Sequence, residues 1–142
     1  MGMSCGTFLD ISLKKVALMI AGIAMQTYMQ KLTDEQEVLM HLADIMIDVY
    51  SAESAALRAG AAAHRQTARA VLQVDAARVF VNDAAMRIDA SARQALAAMV
   101  DGDTLRTMLA ALRRLLKATP INTTALRRRL ADETVTRGGY IF

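Results

Sequence analysis

The sequence predicts an all-α protein, an antiparallel up-and-down helical bundle of four main helices plus a short fifth. Three observations carry this. The apolar share of 54% rests on Ala, Leu and ten Met, with only 4% aromatics, a mix of good helix formers rather than strand formers. Proline occurs once, at Pro120, so long stretches are free of the residue that breaks helices. Apolar positions then recur at steps of three and four over most of the chain.

A length of 142 residues suits one domain. Residues 1–10 read as a disordered lead and residues 11–142 as the bundle, with Asp10 as the cap of a first helix over residues 11–32. Thr33, Asp34, Glu35 and Gln36 have the pattern of a capping box, in which the threonine hydroxyl and the glutamine side chain satisfy orphan amides reciprocally. The second helix runs from there to about residue 59 or 60. Its seam is Val38, Leu42, Ile45, Val49, Ala52 and Ala56, and Leu39, Met46, Tyr50 and Leu57 widen it enough to meet two neighbours.

Residues 60–69 (GAAAHRQTAR) read as an exposed connection. The third helix covers about residues 70–100, with Val74, Ala77, Val81, Ala84, Ile88, Ala92, Ala95 and Met99 on one side. Its small residues let a neighbouring helix come close. Asp83–Arg87 and Asp89–Arg93 are spaced as i,i+4 ion pairs with the acid leading. Asp101 and Gly102 stop that helix, and Asp103 is placed to cap the next. The fourth, over about residues 104–118, turns Leu105, Met108, Leu112 and Leu115 inward and gathers Arg113, Arg114 and Lys117 at its C-terminal end. Thr119 and Pro120 end it. Asn122 caps the short fifth helix, which Gly138 and Gly139 close.

The composition excludes several function classes. A net charge of +3 with interspersed acids and bases demands no anionic partner. The single cysteine, Cys5, allows no internal disulfide and fits a reducing, cytoplasmic setting. The apolar run VALMIAGIAM at residues 16–25 is too short to span a bilayer and too far in for a signal peptide. Arg58, Arg65 and Arg69 lie among alanines without bulky apolar neighbours, which argues against membrane insertion. Arg113–Arg114 and Arg127–Arg129 lack a nucleic-acid module or stacking aromatics. There is no Gly-rich phosphate loop, nucleophile elbow or zinc spacing, and His64 stands alone.

Glu37, His41, Asp44 and Asp48 share one helical stripe and are the candidate metal ligands. Bundle-core di-metal sites use Glu-x-x-His units on paired helices, and none occurs here. The stripe also lies opposite the apolar seam, so a solvated acidic flank is the favoured reading and metal the least favoured. No residue qualifies as catalytic or cofactor-binding.

Three stretches carry a resemblance: KLTDEQEVLMHLADIMIDVYSAESAALR at residues 31–58, ARVFVNDAAMRIDASA at 77–92 and PINTTALRRRLA at 120–131. In order and spacing they resemble the C-terminal helical extension of bacterial acyl-CoA dehydrogenases of the very-long-chain type. The resemblance implies a parent flavoprotein of fatty acid β-oxidation that removes hydrogens from the α,β carbons of an acyl-CoA, with a glutamate as base and FAD as hydride acceptor. It implies no catalytic or flavin-contacting residue in this chain, because the matching pattern belongs to the appended bundle. The expected role is assembly, with the dehydrogenase core or a second copy as partner; a free-standing interaction module without enzyme activity is the alternative. The start Met1-Gly2-Met3 favours a truncated gene product. The chain alone is expected to bind no FAD. Because helix one is apolar nearly all round and helix two is broad, a homodimer through either is expected, with Met46, Tyr50, Ile20 and Ile23 as interface candidates.

Overall fold

The computed structural model describes residues 4–66, 69–117 and 119–142, the first seven of these as backbone only. Helix α1 covers Ser4–Tyr28, a short 3-10 turn Met29–Asp34 follows, and α2 covers Gln36–His64. Then come α3 (Ala70–Met99), α4 (Gly102–Leu115) and α5 (Thr123–Arg137), with no strand among the described residues.

Several boundaries differ from the sequence-based expectation, each for a local reason. Helix α1 starts at Ser4, so Asp10 lies inside it instead of capping it. It stops at Tyr28 because the chain tightens into the 3-10 turn, where Met29 takes the left-handed conformation (φ 50°). That turn consumes Thr33, and α2 opens on Glu35 with no side-chain cap bond. The expected capping box is therefore not formed. Helix α2 also continues to His64, because Ala59 and Ala62 are buried and extend its inward side. The expected connection shrinks to Arg65, Gln66 and Arg69; its residues 67 and 68 lie outside the described residues, as does the expected end of α4 at residue 118.

The other expectations hold more closely. Helix α3 has the predicted extent. Asp101 precedes α4 without a side-chain cap bond, and Gly102 adopts φ 53°, a region open to glycine. Asp103 lies in the first turn and accepts from Arg106 at 3.0 Å, not from a backbone amide. Asn122 does cap α5, its Oδ1 accepting from the Ala125 amide at 3.0 Å, and Gly138 closes it at φ 66°.

One apolar cluster holds the bundle. Leu13, Val16, Ile20 and Ala24 of α1 meet Val38, Ile45, Val49 and Ala52 of α2. Ala84, Ile88, Ala92, Ala95, Leu96 and Met99 of α3 and Leu112 of α4 complete it, with Leu105, Met108 and Leu115 packed at its edge. Alanines at buried positions of α2 and α3 let these two helices approach closely along their length, which is why their pairing is the most extensive in the molecule.

Candidate interaction surface

Ion pairs fix how the helices are rotated. Lys14 of α1 reaches Glu53 of α2 at 2.5 Å. On the other flank of α2, Asp48 accepts from Arg87 of α3, with Nη2 2.6 Å from Oδ1 and Nε 3.0 Å from Oδ2. The Arg87 guanidinium also lies 5.6 Å above the Phe80 ring, within cation–π range. The Asp48 hydrogen bond holds Arg87 above its ordinary pKa, burial opposing and the charge of Asp48 assisting. Arg93 is raised in the same way by Asp89, and that i,i+4 pair is the one foreseen. The other foreseen pair is not formed, since Asp83 is taken by Arg127 of α5 and Arg87 by Asp48.

The same contacts show where the residues of the acidic stripe lie. Glu37 and Asp44 are exposed, His41 is half-buried and Asp48 is engaged with Arg87. Four ligands at steps of four, three and four on one helix are strung over roughly 16 Å and cannot converge on one ion without donors from a second helix. Among the described residues no group of three or more His, Cys, Asp or Glu side chains is placed to hold a metal.

With α1 toward Glu53 and α3 toward Asp48, the remaining sector of α2 points outward, and its part nearer α1 is largely apolar. Met46, Ile47, Tyr50 and Leu57 are 57–73% exposed there, and Met40 is 62% exposed. On α1, Ile11, Leu18 and Met25 recur every seven residues at 48%, 72% and 64% exposure. At 100° per residue, Leu18 and Met25 lie on the same side of α1 as Lys14, the side facing α2. The two exposed stripes therefore flank the same α1/α2 seam, with the Lys14–Glu53 pair between them.

Of the four interface candidates, Met46 and Tyr50 lie on this surface. Ile20 does not, because it is fully buried in the core of the chain itself, and Ile23 is half-buried against that core. Ile47 and Leu57 of α2 were not among the candidates, and neither were Leu18 and Met25 of α1. The seven-residue spacing of the latter two was available in the sequence, but an all-apolar helix does not announce which of its sides a bundle leaves open.

The best-formed hollow among the described residues is an open depression lined by Arg106, Thr107, Ala110, Ala111, Arg114 and Leu115. All six come from α4, so the depression has no opposing wall to enclose a ring system. No helix among the described residues is long and apolar enough to cross a membrane.

The sequence profile of the family described as "Acyl-CoA dehydrogenase, C-terminal domain" matches residues 12–114. The chain belongs to this family. A "Probable acyl-CoA dehydrogenase" from Bacillus subtilis (strain 168) is 44% identical over 119 residues, which is 83% of this chain and 20% of that protein. The crystal structure of an acyl-CoA dehydrogenase complexed with FAD from Bacillus anthracis superposes with a TM-score of 0.90 at 36% identity. That match covers 93% of this chain and 23% of the solved one. The chain thus spans about a fifth of the length of these acyl-CoA dehydrogenases, and its all-α bundle is their C-terminal domain. The family match runs from α1 into α4 and ends before α5.

Proposed function

We propose that this chain is the non-catalytic assembly domain of an FAD-dependent acyl-CoA dehydrogenase, the parent reaction being α,β-dehydrogenation of a fatty acyl-CoA. Its α1/α2 surface packs against the dehydrogenase's catalytic core. The neighbouring stripes of Leu18, Met25, Met46, Ile47, Tyr50 and Leu57 carry this reading, because monomers rarely leave so many large apolar side chains open on one side. Relatives in which the same bundle is a fifth of a longer chain supply a source for the missing cover. The test is co-expression of this chain with an acyl-CoA dehydrogenase polypeptide from which the equivalent bundle has been removed. Co-purification that Leu18→Glu and Tyr50→Glu abolish is the expected result. No co-purification, or co-purification indifferent to both changes, refutes the reading.

A second reading has its own support. With Ile11, the exposed side chains of this surface leave on the order of 800 Å² uncovered, about what each partner contributes to a stable interface. A two-fold homodimer of bundles satisfies the same surface, and two-fold closure is the commonest solution. In that case the chain acts as a free-standing interaction module, or brings two dehydrogenase cores together.

A further inference from the structure

Helix α5 is held differently from the rest. Among the described residues it lies against α3 alone, and none of its own residues is buried. Its half-buried positions are Thr123, Leu126, Leu130 and Glu133, a narrow stripe that is half polar. Ile141, just beyond it, is the single buried side chain after Leu112 among the described residues.

Two arginines flank the stripe. Arg127 pairs with Asp83, and Arg129 lies 2.7 Å from Asp75. Asp75 and Asp83 are about 12 Å apart along α3, whereas the arginines are only about 3 Å apart along α5 and point to opposite sides of it. Helix α5 is therefore tethered to two well-separated points of α3, with one arginine reaching to each side. The docking buries no residue of α5 fully, and it has covered a charge. Asp75 is 3% exposed, and its Oδ2 accepts no hydrogen bond despite the nearby guanidinium. That contact is one of charge, not a directed hydrogen bond.

The balance of terms is unfavourable to a firm seat. Both arginine side chains stay more than half exposed, so solvent and salt screen their attraction. The desolvation of Asp75 opposes docking throughout. Leu126 and Leu130, both half-buried, supply the modest apolar gain.

We propose that α5 is a salt-releasable arm. It lifts from α3 as a unit while α1 to α4 stay folded, uncovering Asp75 and Asp83. A fifteen-residue helix loses its structure once undocked, so amide exchange reports the release directly. Hydrogen exchange with mass analysis on the whole chain is the experiment. Residues 123–137 are expected to exchange at least about tenfold faster than the core of α3. Raising NaCl from about 0.05 M to about 1 M, where the screening length falls to roughly 3 Å, should speed α5 a further several-fold and leave α1 to α3 unchanged. Arg129→Gln should accelerate α5 exchange roughly fivefold by leaving Asp75 buried without its counter-charge. Adding Asp75→Asn to Arg129→Gln should bring the rate back toward wild type. Exchange of α5 at the rate of the α3 core overturns the proposal. So does fast exchange indifferent to both salt and Arg129→Gln, which is ordinary fraying of a chain end.

Discussion

Arg87 of α3 grips Asp48 of α2 with two nitrogens, Nε lying 3.1 and 3.0 Å from the two carboxylate oxygens and Nη2 2.6 Å from Oδ1. The partners are unequally placed, for the Arg87 side chain is 50% exposed and that of Asp48 only 16%. Removing the arginine strands the more buried partner, and an unpaired group out of water costs more than an exposed one. Arg87→Ala should therefore destabilise the chain by about 1–2 kcal/mol, and Asp48→Ala by about half as much. Urea unfolding of both variants and the double mutant checks the order. Equal losses would contradict the argument from unequal burial.

The same pair has a definite pH behaviour. Asp48 raises the pKa of Arg87 in the folded state, so its contribution is fully present below the unfolded value and is lost only as pH rises through the folded one. Both lie far above neutrality. The stability difference between wild type and Arg87→Ala should be flat across about pH 6–9, as thermal melts at several pH values can show.

Close approach of α2 and α3 depends on small residues. Ala92 of α3 is fully buried in the core, and a leucine there has no space without moving a helix. Ala92→Leu should cost about 1–3 kcal/mol through overpacking. Ile88→Ala, at an equally buried position, should cost about 2–5 kcal/mol through the cavity it leaves. Ile47→Ala, on the open surface, should stay within roughly 0.5 kcal/mol of wild type.

Met46 and Tyr50 are 57% and 73% exposed, so charging them disturbs no contact inside the chain. Met46→Glu and Tyr50→Glu should melt like wild type yet lose self-association, measured by light scattering over a dilution series. A wild-type chain that stays monomeric at every concentration would eliminate the homodimer and leave the dehydrogenase core as the cover.

The purified chain should bind no FAD, because the depression on α4 has one wall and six lining residues from one helix. A flavin absorbance band that survives desalting would refute this.

What the sequence determined by itself is whatever depends on neighbours along the chain. The extent of α3, the Asn122 cap, the Gly138 stop and the Asp89–Arg93 pair all follow from residues within a turn of one another. The inner seam of α2 was legible too, since burial selects Val38, Ile45, Val49 and Ala52 at helical spacing. The wording of helix two and its companions also made the family legible.

Tertiary structure decided the rest. Asp83 and Arg87 are correctly spaced for each other, yet each finds a partner on another helix, Arg127 and Asp48. A flexible charged side chain can choose any partner within reach, and only packing says which arrive. Periodicity likewise gives the width of an apolar stripe but not how much of it a bundle covers. Hence Ile20 went inside, while Leu18, two residues away, remained 72% exposed. Asp75 is the clearest case: nothing near it in sequence marks it for burial, and it is buried because a helix some fifty residues further along crosses over it.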